Sequence, residues 1–161
     1  MTLLEITNLS LSIGAFPILR DVSLSVDPGE ILAITGESGS GKSMTAMAIM
    51  QLLPRGSNTT GQIFLETQDL CTTPEPAMCD LRGNDIGMIF QEPMTALNPV
   101  KTIGDQVVET ILIHTDTSKA AAREKAIEVL ERVGLPADQF PLGRFPHELS
   151  GGQRQRVVIA M

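Results

Sequence analysis

The sequence predicts an α/β fold in which a mixed sheet with antiparallel N-terminal strands carries a phosphate-binding loop and an inserted helical subdomain. Three observations lead there. Gly36-Glu37-Ser38-Gly39-Ser40-Gly41-Lys42-Ser43 fits the pattern G-x-x-x-x-G-K-[ST]. Leu9-Ser10-Leu11-Ser12-Ile13 and Val22-Ser23-Leu24-Ser25-Val26 alternate strictly between apolar and polar residues. From Ile103 to Val133 the apolar residues change to helical spacing.

Taken in order, the two alternating runs read as half-buried antiparallel strands, joined by Gly14 to Pro17. Asp27-Pro28-Gly29 reads as a tight turn. The short apolar run Ile31-Leu32-Ala33-Ile34-Thr35 reads as a buried strand feeding the glycine-rich loop. Met44 to Leu53 is apolar on nearly every face, as a buried helix would be, and Pro54 stops it. Gly61 to Leu65 is a further short strand, Thr72 to Pro76 a loop, and Asp85 to Phe90 a strand ending at Gln91. Glu92 to Pro99, with two prolines, is irregular.

Beyond it, Ile103, Val107, Val108, Ile111 and Leu112 line one helix. Ser118 caps a second, with Ala122, Ala126, Val129, Leu130 and Val133 on its inner face and Gly134 and Pro136 at its end. The expected organisation is an α/β core over residues 1–94, a helical subdomain over 95–148, and residues 149–161 opening a last helix; the family resemblance given below implies that this domain is incomplete.

Composition sets the limits. The chain has 161 residues, 42% hydrophobic and 19% charged, enough for a folded core. A net charge of −7 and the absence of Trp and Tyr argue against a nucleic-acid surface. Cys71 and Cys79 have no nearby Cys or His partners and read as free thiols rather than a zinc site or a required disulfide. No basic-then-apolar leader opens the sequence, and no apolar run approaches the 18 or so residues of a membrane span. A membrane role then has to come through a partner.

The loop 36–43 carries the chemistry. Glycines let the backbone curl so that successive N–H groups converge on phosphate oxygens. Lys42 reaches the β- and γ-phosphates, the Ser43 hydroxyl suits Mg²⁺, and the helix that begins there turns its positive end toward the anion. With Gly at about 7% of residues, such a pattern arises by accident in on the order of 1% of chains this long. The apolar flanks lower that further.

A second glycine-bearing stretch, Leu149-Ser150-Gly151-Gly152-Gln153, precedes Arg154-Gln155-Arg156-Val157. A Ser hydroxyl and glycine amides at a helix start form another anion cradle. A compact domain seldom needs two for one nucleotide, which suggests two chains facing each other.

The loop 36–43, Gln91 and the stretch 149–153 together resemble the ATP-binding subunits of ABC transporters, over essentially the whole chain. The resemblance implies an ABC-type P-loop fold, with 36–43 as Walker A, Gln91 as the Q-loop glutamine and Leu149–Gln153 as the signature. It implies that ATP and Mg²⁺ bind at Gly36, Glu37, Ser38, Gly39, Ser40, Gly41, Lys42 and Ser43, with Gln91 and Ser43 near the metal. Ser150, Gly151, Gly152 and Gln153 then contact ATP held by an opposite subunit, in a homo- or heterodimer. Transmembrane permease subunits dock near the Q-loop and the helical subdomain, placing the protein peripherally on the cytoplasmic face of the membrane. Gln91-Glu92-Pro93-Met94-Thr95-Ala96-Leu97-Asn98-Pro99 and Phe145-Pro146-His147-Glu148-Leu149 look like dipeptide, oligopeptide and nickel importers in particular.

The sequence departs from the family pattern at four points. The Asp-Glu pair of Walker B, which supplies the catalytic base, occurs nowhere, and no acidic residue follows Glu148. His114 and His147 both precede the expected place of a switch histidine, and His147, beside Pro146, reads as structural. The aromatic residue on which relatives stack adenine is replaced by Ile13, with Phe16 nearby. Met44 stands where many relatives have Thr, leaving Ser43 its metal contact.

Hydrolysis by these 161 residues alone is therefore not expected, nor is high stability, and aggregation hazard is highest beside Ile31–Thr35. The alternative is a truncated, non-hydrolysing nucleotide-binding or interaction protein. A P-loop kinase or GTPase leaves 149–153 without a task, and a DNA-repair or translation ATPase sits poorly with the acidic charge.

Overall fold

The computed structural model describes residues 2–90 and 96–161. The chain divides into two compact units, Met1–Met88 and Ile89–Met161.

The first unit is built on a four-stranded antiparallel sheet in the order β2-β1-β3-β4. Strand β1 is Leu4–Ile13, β2 is Phe16–Val26, β3 is Ser57–Leu65 and β4 is Gln68–Asp69. The first two are longer than their alternating runs, because a hairpin turn at Gly14-Ala15 places Ile13 opposite Phe16.

In β1, Ile6 and Leu9 are both buried although three residues apart, a spacing that a regular strand would split between faces. A bulge at Thr7-Asn8 restores the register against both neighbouring strands, with Asn8 at φ 51°. Asn8 is held there by Ser23, whose Oγ accepts from its backbone N–H at 2.9 Å. Gly61 lies opposite, at φ 97°, where a Cβ would come within 2.5 Å of the Asn8 carbonyl oxygen. Ile6, Leu9, Leu11, Leu19 and Ile63 then pack with Ala48, Leu70 and Met78 as this unit's core.

Two helices belong to this unit, α1 at Lys42–Ile49 and α2 at Glu75–Leu81. Helix α1 ends four residues earlier than the apolar run to Leu53 predicts. Gln51, at φ 53°, turns the chain, with Gln51 N–H donating to Ala48 O at 3.1 Å and Leu52 N–H to Met47 O at 2.9 Å. That is a Schellman ending with Gln in the position usually held by Gly. Helix α2 begins inside the loop expected at Thr72–Pro76. Pro74 is its N-cap and Pro76 lies in the first turn, where a helix tolerates a missing N–H.

Two expected strands do not form. Ile31–Thr35 is irregular and Ile31 is 95% exposed. Asp85–Phe90 contributes only an isolated bridge between Arg82 and Ile86. The physical reason is common to both, since a strand exists through a ladder of hydrogen bonds to a neighbour and, among the described residues, no strand runs alongside either segment. Both cysteines are free, and burial followed by the nearby Asp69 carboxylate raises the Cys71 thiol pKa.

The second unit is helical, with α3 at Ile103–His114, α4 at Lys119–Arg132, a 3-10 turn at Pro146–Glu148 and α5 at Gly151–Ala160. Thr102 caps α3 and Ser118 caps α4, each hydroxyl accepting a backbone N–H three residues on. Ile103, Val107, Ala122, Ala126, Leu130, Leu135 and Val157 are buried together. Gln106 is buried too, and its amide accepts from Asn98 N–H at 2.8 Å and donates to the carbonyls of Asn98 and Lys101.

Candidate functional site

The loop 36–43 connects the irregular segment 31–35 to α1. Gly41 is the N-cap of α1 at φ 91° and supplies no side chain to the first-turn N–H groups. The caps of α3, α4 and α5 do supply one. With no acidic residue in the first turn of α1 either, its amides and dipole are left for an outside anion. A Cβ on Gly41 would meet Leu19 Cδ2 at 2.5 Å and Ile18 O at 3.3 Å, so β2 backs the loop directly. Thr45, buried one turn on, donates to Gly41 O through both its backbone N–H and its hydroxyl.

Lys42 Nζ is folded into the loop. It donates to Gly36 O at 2.8 Å and Glu37 O at 2.7 Å, with Ser40 Oγ 3.4 Å away. Ser38, Gly39, Ser40 and Ser43 are exposed around it. The arrangement is a ring of backbone with a cation inside and uncapped amides at one side, which can hold a phosphate chain. The exposed Ser43 hydroxyl is a single hard oxygen, a donor set suited to an ion that keeps water and phosphate oxygens as its other ligands.

Ile13 and Phe16 face one another across the β1–β2 turn, and Phe16 is 75% exposed. The hairpin that bears them is the one whose Ile18-Leu19 backs Gly41. Leu19 is absent from any motif. Its apolar position marks it as core, but nothing in the sequence marks it as the support of the loop.

In the second unit, Ser150 caps α5. Its Oγ accepts from Gln153 N–H at 3.3 Å, and Gln153 Oε1 accepts from Ser150 N–H at 2.8 Å. This reciprocal box uses the amide of Gln153 but leaves those of Gly151 and Gly152 at the first two helical positions, where the helix has no acceptor to offer. Both glycines are exposed. Just before them, Phe145 and the exposed His147 stack with ring centroids 5.7 Å apart, and Glu148 accepts from Phe145 N–H at 2.7 Å. Gln91 lies outside the described residues.

A glycine-rich ring holding a lysine, closed by a serine at an uncapped helix start, is the geometry of a P-loop. Comparison with known proteins narrows the class. Residues 19–161 match the family model described as ABC transporter, and the chain belongs to that family.

Among curated proteins it is 53% identical over 150 residues to a Brucella abortus protein named for peptide import and ATP binding, covering 89% of this chain and 44% of that one. It is 48% identical over 165 residues to the oligopeptide transport ATP-binding protein OppD of Bacillus subtilis, covering 99% of this chain and 46% of the relative. The chain thus spans about half the length of the curated relatives it matches. Among solved structures it resembles the dimeric ATP-binding cassette MJ0796 bound to ADP and Pi, with TM-score 0.82, 27% identity, and coverage of 98% of this chain and 67% of that one. The fold is accordingly that of an ABC ATPase cassette, and ATP binding is a property of the family.

Proposed function

We propose that this chain is part of the ATP-binding, energy-coupling subunit of an ABC importer of peptides, with nickel as the other cargo its Q-loop stretch resembles. The observation that carries the reading is Lys42 inside a glycine loop whose following helix has no side-chain cap. The names of the relatives, peptide import and oligopeptide transport, supply the cargo class.

In this reading the amides of Gly39 to Ser43 bind the phosphates, and Lys42 leaves the carbonyls of Gly36 and Glu37 for the terminal phosphates. Ser43 and Gln91 hold Mg²⁺, which supplies charge neutralisation at the γ-phosphate. Ile13 and Phe16 offer an apolar seat for the base. Ser150, Gly151, Gly152 and Gln153 close the site of a second ATPase subunit, head to tail. The core spans 1–94, the helical subdomain 95–148, and the signature segment 149–161. Permease subunits meet the region around Gln91 and the helical subdomain, on the cytoplasmic face of the membrane. No helix among the described residues is long and apolar enough to cross it. Since these 161 residues contain no Asp-Glu pair, the base for hydrolysis is assigned to residues outside them.

The test is peptide uptake and MgATP binding by the full-length subunit with its permeases. Lys42→Ala is expected to abolish uptake and to weaken MgATP binding by at least about tenfold. Uptake of peptide that survives this change refutes the reading.

A further inference from the structure

Helix α1 has two ends, and the chemistry proposed above concerns only one. Its C-terminal end stops in a conformation that the local sequence does not favour. Gln51 occupies the left-handed position of the Schellman turn at φ 53°, where glycine is the usual residue. Neither Gln51 nor Leu52 forbids helical backbone, and Pro54 disfavours it only from Leu53.

What holds the ending is Arg82, from just beyond α2. Its Nε donates to Met50 O at 2.8 Å and its Nη2 to Gln51 O at 3.3 Å. The same guanidinium pairs with both carboxylate oxygens of Glu75, Nη1 to Oε1 at 2.6 Å and Nη2 to Oε2 at 3.2 Å. The Arg82 side chain is only 16% exposed. The planar fork of arginine suits this task, because one face of donors meets two carbonyls while the other meets a carboxylate. A positive charge at a helix C-terminus also complements the helix dipole. Gln51 adds a bond of its own, Nε2 to Ala48 O at 2.9 Å.

We infer that Arg82, oriented by Glu75, is a positioning residue for the phosphate loop. By fixing where α1 ends, it fixes the register and tilt of the helix whose first residues are Lys42 and Ser43. Arg82 also opens the isolated bridge to Ile86, on the segment that runs on to Gln91. One residue therefore ties the end of the loop helix, through its side chain, to the start of that segment, through its backbone. The inference rests on the nucleotide-binding reading of the loop and adds a residue that no motif contains.

The experiment measures the affinity of the full-length subunit for a fluorescent ATP analogue with Mg²⁺, well below the melting temperature. Lys42→Ala tests the underlying reading. Arg82→Ala tests the inference and is expected to weaken binding by about tenfold, with Glu75→Gln weakening it by about threefold. The decisive variant is Gln51→Gly on the Arg82→Ala background. Glycine takes the left-handed position without strain, so it should restore the helix ending and most of the lost affinity. Ile63→Ala, a core variant in β3, controls for general loss of stability and should leave affinity unchanged in the folded fraction.

Normal affinity in Arg82→Ala overturns the inference while leaving the loop reading intact. So does a loss that Gln51→Gly fails to lift. If Arg82→Ala does not fold, Glu75→Gln with and without Gln51→Gly decides by the same comparison. If the wild-type subunit does not bind the analogue, both readings fall together.

Discussion

The ammonium of Lys42 donates to the carbonyl oxygen of Glu37 across 2.7 Å, so the cation of the loop is turned onto its own backbone. A phosphate chain entering the loop has to win the lysine from that carbonyl and from Gly36. Lys42→Ala removes a charge-assisted bond worth about 1.5–3 kcal/mol. ATP affinity should fall by roughly tenfold to a hundredfold. Titration with a fluorescent analogue checks this, and an unchanged dissociation constant contradicts it. Lys42→Arg should not restore binding, because a planar fork does not fit where a compact ammonium sits among carbonyls.

Two glycines of the sheet separate backbone strain from collision. Gly14, at φ 57°, has nothing within 4 Å of a would-be Cβ, whereas at Gly61 the carbonyl oxygens of Asn8 and Thr7 lie 2.5 and 2.6 Å away. Gly14→Ala should cost about 1 kcal/mol through left-handed geometry alone. Gly61→Ala should cost about 2–4 kcal/mol, because strand backbone has to move. Urea denaturation of the two variants gives the comparison, and equal midpoints would show that the bulge at Asn8 yields more easily than its geometry implies.

Ser150 has a structural duty as well as the proposed one. Ser150→Ala should lose about 1 kcal/mol through the missing cap. Ser150→Asp keeps an acceptor for Gln153 N–H and so should keep that stability, but it sets a negative charge where a phosphate is proposed to lie. Both variants should fail to pair in response to ATP, as read by analytical ultracentrifugation of a hydrolysis-deficient subunit. Pairing by Ser150→Asp would separate the segment from the nucleotide.

The bond from Arg82, followed by its charge, lowers the pKa of the Glu75 carboxyl below its ordinary 4.5. A depressed folded-state pKa means that the pair stabilises fully above the unfolded value and that this contribution disappears as pH falls through the folded one. Glu75→Gln should therefore be less stable than wild type at neutral pH, and the two should converge in acid. Glu75 is exposed, so the difference is small and should shrink further in high salt. Denaturation midpoints followed from neutral pH down past 4 test the sign, and a gap that widens on acidification refutes it.

The sequence makes those parts legible whose residues act locally. Loop 36–43 is readable because glycine, lysine and serine at fixed spacing have few other uses together. The caps Ser118 and Ser150 are readable because a hydroxyl before a helical pattern meets its own first turn. The inner face of α4 follows from the spacing of Ala122, Ala126 and Leu130. Elsewhere a distant partner decides. Gln51 ends α1 with the help of Arg82, thirty-one residues away in sequence. The bulge at Asn8 depends on Ser23 and on the missing side chain of Gly61. Ile31–Thr35 has the composition of a strand, and composition cannot supply the neighbour that makes one. Prolines 74 and 76 suggest a loop, yet at the N-cap and in the first turn of α2 they cost the helix no bond.

That last apolar segment has an experimental signature. In these 161 residues by themselves its amides, with no ladder partner among the described residues, should exchange with deuterium at close to the rate of an unstructured peptide, while those of Ile63 in β3 wait for the sheet to open. Any polypeptide that adds itself alongside Ile31 to Thr35 would slow that exchange residue by residue. The protection pattern would then show which carbonyls it has taken.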